Sequence, residues 1–402
     1  MMKTLPKSTC LSRRNLNLWF NFKKNSGLPL LFLILISLPL LDGFFKISQA
    51  APSNEKRKLA DKPHFSILDP FGYLKYFESY FNDNFGFRDQ LVYFHNMIQV
   101  MVLRTSPLDR VVIGRDGWLF LGRETEFRDE INYFRSVKLF SKAELMRWRT
   151  VLQRRRQWFQ HRGIFYIFIV IPNKSTIYPE YLPRTIRKAN QQSRLDQLLA
   201  ALRRDPDFPV LDFREIFSRE KNNSLLFYRT DTHWTELGAY FAYREIMKKL
   251  AAAFPGVRAA SLDQFTVESG GYFNGDLALE LCLQNSKFKE QDIVLRAKTP
   301  APFATSSAES EPGRFIRKTI SECPSGVLPT ALIVHDSFMF QLKPFFQPHF
   351  QRIVYIWDWN WRFLLEEIES EKPKIVIDEM VERFLSDRMP ANPPGMTDSD
   401  KD

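Results

Sequence analysis

Residues 164–171 read Ile-Phe-Tyr-Ile-Phe-Ile-Val-Ile, with no charged side chain, between Gly163 and Pro172. A strand with one face in water alternates polar and apolar residues, whereas a strand apolar on both faces must be covered on both, as in a parallel sheet flanked by helices. Three more runs of this kind follow: Ala331-Leu-Ile-Val334, Arg352-Ile-Val-Tyr-Ile356 and Lys374-Ile-Val-Ile-Asp378. Helical stretches after Ser337 and near Trp361 to Glu369 separate them, which makes two βαβ units, and Phe208-Pro-Val-Leu-Asp212 adds another strand. The chain is therefore expected to be an α/β protein.

The remaining elements fit that frame. Val111 to Leu121 carries two β-rich runs around Gly-Arg-Asp-Gly, a hairpin signal. Ser141 and Glu144 make a capping box for a helix to about Arg162, ended by Gly163. The arginines 147, 149, 154, 155, 156 and 162 of that helix read as a solvated basic face. Further helices are expected near 193–204 and from Thr235 to about Phe254, and residues 256–325 read as an insertion of short strands around a Pro-, Ser- and Ala-rich loop.

Ahead of the folded part, a basic tail (1–27) precedes the apolar segment 28–47, which is read as a signal-anchor or signal-peptide core. Ser48-Gln49-Ala50 offers a small-residue cleavage site, and an uncleaved anchor with the remainder outside the cytoplasm is favoured. Residues 48–62 read as a linker, 63–385 as the catalytic domain and 386–402 as a disordered tail. A net charge of +11 suits an anionic membrane surface or an acidic polymer, and no nucleic-acid motif accompanies it. Cys282 and Cys323 either pair in an oxidising compartment or stay free thiols.

The chemistry gathers on two loops. In Asp231-Thr-His-Trp234 an aspartate two residues before a histidine can hold one ring nitrogen and leave the other free to take a proton. In Val334-His-Asp-Ser-Phe338 a serine turns off the carboxyl end of a buried strand, where open α/β sheets carry their sites. Ser337 as nucleophile, His233 as base and Asp231 as its orienting partner make one acyl-transfer triad, with helix amides after Ser337 as the expected oxyanion donors. No His or Cys spacing suits a metal, so neither a metal nor a cofactor is expected. Trp234 and Tyr178 are candidate wall residues, and Asn173 and Arg383 are candidates from their position at strand ends.

The strings Asn82-Asp-Asn-Phe-Gly-Phe-Arg-Asp89, Gly114-Arg-Asp-Gly-Trp-Leu-Phe120, Ile171-Pro-Asn-Lys-Ser-Thr-Ile-Tyr-Pro-Glu180, Asp231-Thr-His-Trp234, Gly275-Asp-Leu277 and Asp336-Ser-Phe338 appear in an order that resembles the alginate-acetylation family of SGNH-hydrolase-like O-acetyltransferases. The resemblance implies a flavodoxin-like three-layer α/β/α fold with a mainly parallel sheet, the Asp-x-His block preceding the Ser block. It implies acetyl transfer to hydroxyls of a polysaccharide acceptor outside the cytoplasmic membrane, with a membrane-bound O-acyltransferase supplying the acetyl group. An acetyl-esterase with the same triad, or a polysaccharide-binding factor with an idle site, are the competing readings. One departure is His335, which stands where the usual Gly-Asp-Ser has glycine and puts the local backbone in question.

Overall fold

The computed structural model describes residues 27–45, 59–64, 69–302, 304–308, 317–357, 364–392 and 396. The basic tail up to residue 26, the Ser48-Gln49-Ala50 cleavage site and most of the linker lie outside the described residues. The same holds for residues 309–316 of the insertion loop and for Trp361. The chain divides into two units, residues 1–95 and 96–402, so residues 63–95 cluster with the first.

In the first unit, helix α1 (Gly27–Phe45) has 19 residues and exposes Leu28, Leu30, Leu31 and Phe32 among others. It contains Pro39 and Asp42, and Asp42 accepts the Phe87 amide at 3.2 Å. No helix among the described residues is long and apolar enough to cross a membrane. Helix α2 (Pro70–Asn84) starts on Asp69, whose carboxylate accepts the Gly72 amide at 2.8 Å. Tyr73, Phe77, Phe81 and Phe85 stack along it at the four-residue spacing that puts side chains on one helix face.

The second unit is built on a seven-stranded sheet. Its strands are β3 (Phe165–Ile171), β4 (Val210–Asp212), β7 (Ala304–Ala308), β8 (Arg317–Glu322), β9 (Ala331–Val334), β10 (Arg352–Trp357) and β11 (Ile375–Val381). Two small antiparallel pairs stand apart: β1 (Val111–Ile113) with β2 (Leu119–Leu121), and β5 (Phe265–Phe273) with β6 (Glu290–Ala297). The sheet order is β4-β3-β11-β9-β10-β8-β7, parallel from β4 to β10 and antiparallel for β8 and β7. The sheet is therefore mixed: mainly parallel, with an antiparallel edge supplied by the insertion. All four residues of β9 are buried, as an interior parallel strand requires.

Helices cover both faces. Ser141 and Glu144 close their capping box at the start of helix α3 (Lys142–His161), with bonds of 3.2 and 2.8 Å. Gly163 ends it at φ +66°, a left-handed conformation that favours glycine. Helix α3 sets Phe159 on Tyr166 and Trp148 near Phe168. Those two residues share one face of β3, because strand side chains alternate. Phe165, on the other face, meets Phe254 at the end of helix α4 (Glu236–Ala253). Helix α4 also packs on helix α5 (Met339–Phe346). The result is three layers, α/β/α, with the carboxyl ends of β3, β9 and β11 opening side by side.

Two sequence expectations change. Arg155 is not on a solvated face: it is buried and bonds Asp378 at 2.8 Å. The first part of the tail is not loose. Arg155 also bonds the Ala391 carbonyl and the Asn392 side chain, and Met396 is buried in the core.

Candidate active site

His233 sits on a tight excursion of the chain. Phe227 and Trp234 form an isolated antiparallel bridge, so residues 228–233 bulge out between two paired positions. Thr235 then caps helix α4 through the Gly238 amide at 3.1 Å. Two glycines permit the packing of this loop. A Cβ on Gly238 would lie 2.2 Å from the Leu226 carbonyl, and one on Gly275 would lie 2.3 Å from the Thr230 carbonyl.

Within the bulge, Asp231 Oδ1 accepts both the His233 amide at 2.8 Å and His233 Nδ1 at 2.7 Å. Its other oxygen accepts the Asp276 amide at 2.7 Å. That arrangement assigns the proton to Nδ1 and leaves Nε2 as the acceptor. Nε2 lies 2.7 Å from Ser337 Oγ, 104 positions away, so three side chains form one hydrogen-bonded chain.

The serine loop is fixed by Asp336. Its carboxylate accepts the Phe338 amide at 2.9 Å and the Val381 amide at 2.8 Å, tying the end of β9 to the end of β11. Asp336 therefore consumes an amide that was expected to face an oxyanion. Met339 and Phe340 turn their amides back to the Asp336 and Ser337 carbonyls. Of the amides from Ser337 to Phe340, that leaves Ser337 N as the candidate donor to a developing oxyanion. His335 does not adopt a left-handed conformation, so no glycine is needed there. Its ring packs near Tyr355, Trp357 and Phe340 while Nδ1 donates to the Asp336 carbonyl at 2.6 Å.

The electrostatics follow from these partners. Burial opposes ionisation of Asp231, but the hydrogen bond and charge of His233, with the Asp276 amide, hold its carboxyl down at about 2. Burial also works against the imidazolium of His233, yet Asp231 and Asp276 outweigh it and raise its pKa above the ordinary 6.5. Burial and the charge of Asp231 raise the Asp276 carboxyl. Burial lowers His335 to about 3, so it stays neutral at physiological pH.

The other four candidates are all buried. Trp234 is fully buried, with its indole N–H bonded to the Phe338 carbonyl at 3.1 Å. Tyr178 is buried against Trp118, its hydroxyl accepting the Leu226 amide at 3.0 Å. Neither lines a substrate wall, because large aromatic rings at such positions serve the core. Asn173 is buried and accepts the Arg383 amide at 3.2 Å. Arg383 bonds Glu124 at 3.0 Å and lies 5.7 Å from the Phe338 ring. Ser337 and His233 are only partly buried, so this pair remains reachable. No disulfide joins Cys282 to Cys323.

Three residues escaped the sequence reading, although the quoted strings contain two of them. Asp276 accepts both the amide and the hydroxyl of Thr232, at 2.8 and 2.7 Å. Glu290 accepts the Arg229 amide at 2.7 Å and the Thr230 amide and hydroxyl at 3.0 and 2.8 Å. Lys174 donates to loop carbonyls from beneath. Asp231, His233 and Asp276 offer possible metal-ligand atoms within 4.8 Å of one another. Both carboxylates already accept protein donors, an arrangement suited to proton transfer.

Comparison with known proteins supplies the remaining context. Residues 111–311, half of the chain, match the family described as the SGNH hydrolase-like domain of acetyltransferase AlgX. The match takes in Asp231, His233 and Asp276 and ends before Ser337. The probable alginate O-acetylase AlgJ of Pseudomonas aeruginosa is 35% identical over 130 residues, 32% of this chain and 30% of that protein. Its namesake from Pseudomonas putida is 28% identical over 195 residues, 48% of this chain and 45% of that protein. The matched part thus spans about a third to just under half of these relatives. Among solved structures, Bacillus cereus PatB1 with a sulfonyl adduct has a TM-score of 0.54 at 16% identity, covering 70% of this chain and 97% of that one, a likeness of fold.

Proposed function

Since the chain belongs to the AlgX family of SGNH hydrolase-like acetyltransferases, we propose that it moves an acetyl group through Ser337 to hydroxyls of a polysaccharide. The observation that carries this reading is the unbroken chain Asp231–His233–Ser337, with both links at 2.7 Å. His233 Nε2 takes the Ser337 proton as Oγ attacks the acetyl carbonyl of the donor. Collapse of the tetrahedral species expels the donor's leaving group, which receives that proton from His233, and leaves acetyl-Ser337. A sugar hydroxyl then gives its proton to His233 and attacks the ester, and Ser337 recovers its proton as it leaves. Asp231 stabilises the imidazolium in both halves without itself taking the proton.

The reading places the site outside the cytoplasm, with the 28–47 segment holding the chain at the membrane and a membrane-bound O-acyltransferase supplying the acetyl group. The leucines exposed on α1 support a lipid-facing role for that helix. The names of the AlgJ relatives support alginate or a similar polymer as acceptor. The test uses the full chain with p-nitrophenyl acetate, alone and with an oligosaccharide acceptor. Acetylated oligosaccharide that vanishes in Ser337→Ala supports transfer. Acetate release alone, lost in the same variant, would make the protein an esterase. Unchanged turnover by Ser337→Ala would end the triad reading.

A further inference from the structure

The loop that carries Asp231 and His233 is pinned from below by a cation buried in the fold. Lys174, at the carboxyl end of β3, is 2% exposed. Its Nζ donates to the carbonyls of Tyr228 at 3.1 Å, Arg229 at 3.3 Å and Asp231 at 2.5 Å. An ammonium has three N–H groups, and all three are spent on one loop of the backbone. The Phe120 and Trp118 rings wall the ammonium at 5.2 and 5.9 Å. Glu290 holds the Arg229 and Thr230 amides of the same loop, so carbonyls and amides are gripped by opposite charges.

The peptide between Asp231 and Thr232 is fixed at both ends. Lys174 holds its carbonyl oxygen, and Asp276 holds its amide at 2.8 Å. The plane of that peptide sets where the Asp231 carboxylate starts and where His233 follows. A buried lysine without a bonded carboxylate is costly, so its retention calls for a local reason.

We propose that Lys174 is a positioning residue for the acid–base pair, holding the Asp231–His233 loop in the shape that aims Nε2 at Ser337. The assignment rests on the triad reading above. A neutral side chain of similar length would fill the space and take the Lys174 donor from the Tyr228 and Asp231 carbonyls, while the Arg229 carbonyl keeps the Leu119 amide at 2.8 Å. Burial lowers the Lys174 pKa to about 8, while the carboxylates of Asp231, Asp276, Glu130 and Glu290 around it partly compensate. Alkaline pH should therefore remove one donor and loosen the same loop.

The test compares full-length protein with Lys174→Met and Ser337→Ala, using p-nitrophenyl acetate turnover from pH 6 to 9.5 and the low-field proton resonance of His233 Nδ1–H. Lys174→Met is expected to lower kcat roughly 100-fold, the scale on which a misplacement of about 1 Å acts, with KM within about twofold by the same reasoning. The unsubstituted protein should lose kcat and the low-field resonance together on the alkaline side, with a midpoint near about 8. Lys174→Met should lack that resonance at every pH and show no alkaline fall. Turnover by Lys174→Met within about threefold of the parent overturns the assignment, well short of the 100-fold expected. So does a parent protein whose kcat and resonance persist unchanged to pH 9.5, which decides the matter even where the variant does not fold. A dead Ser337→Ala beside an active Lys174→Met sinks only the Lys174 role, whereas an active Ser337→Ala sinks the triad.

Discussion

Trp234 donates its indole N–H to the carbonyl oxygen of Phe338 at 3.1 Å, which joins the residue after His233 to the residue after Ser337. His233 and Ser337 thus face one another across a second bond made by their immediate neighbours. The His233 ring also lies 5.0 Å from the Phe338 ring, so the two loops share apolar contact as well. A tryptophan in this place is a brace between loops.

Replacing that brace with Trp234→Phe keeps an aromatic ring and removes the donor. The buried Phe338 carbonyl then loses its partner, which costs about 1–3 kcal/mol. Urea unfolding should register that loss, and kcat should fall more than KM changes.

Asp231→Asn should lower kcat on the order of 10³–10⁴-fold, as a wrong histidine tautomer does elsewhere. Three donors face the carboxylate here: His233 N, His233 Nδ1 and Asp276 N. An asparagine amide group must turn its own N–H₂ toward one of them. A circular dichroism spectrum like that of the parent, together with the lost turnover, checks that the effect is local.

The pH–rate profile should rise through a pKa above 6.5, because the proposed mechanism uses His233 as a base and Asp231 raises its affinity for a proton. Asp231, held at about 2, adds no limb in the working range. The signs for stability are opposite. The His233 contribution is complete below the unfolded pKa and is lost as pH rises through the folded one. The Asp231 contribution is present above the unfolded value of 3.8 and is lost as pH falls toward about 2. A profile rising below pH 6 would contradict the assigned pairing.

Arg155→Met should destabilise the fold by about 3–5 kcal/mol, since it leaves Asp378 buried beside Tyr166 without its cation. Thermal melts measure it. A solvent-facing arginine of the same helix, such as Arg147, should change stability by less than about 0.5 kcal/mol when replaced by alanine.

Much of the architecture was legible because it is written in contiguous residues. The apolar run around Ile167 announced a strand covered on both faces, and Ser141 with Glu144 announced a helix start. The antiparallel edge β8–β7 was not legible, since its residues read only as an insertion with a surface loop. The burial of Arg155 was hidden for a related reason: six arginines on one helix say nothing about which of them meets Asp378. Trp234 and Tyr178 were recognised as notable but given the wrong surroundings, because an aromatic residue next to a catalytic candidate reads the same whether it faces solvent or core. Asp276, Glu290 and Lys174 were missed since each acts on backbone atoms of a distant loop, and a backbone partner leaves no mark on sequence spacing.

The sequence by itself determined the α/β class, most element positions and the choice of Asp231, His233 and Ser337, because periodicity, caps and reactive side-chain chemistry are local properties. Only the tertiary structure decided that β9 lies between β11 and β10, which brings loops 104 residues apart to within a hydrogen bond. It also decided which charges support that meeting from beneath. Such convergence depends on strand order and on close approach at positions such as Gly275, and those are set by how whole elements pack, not by any short stretch of chain.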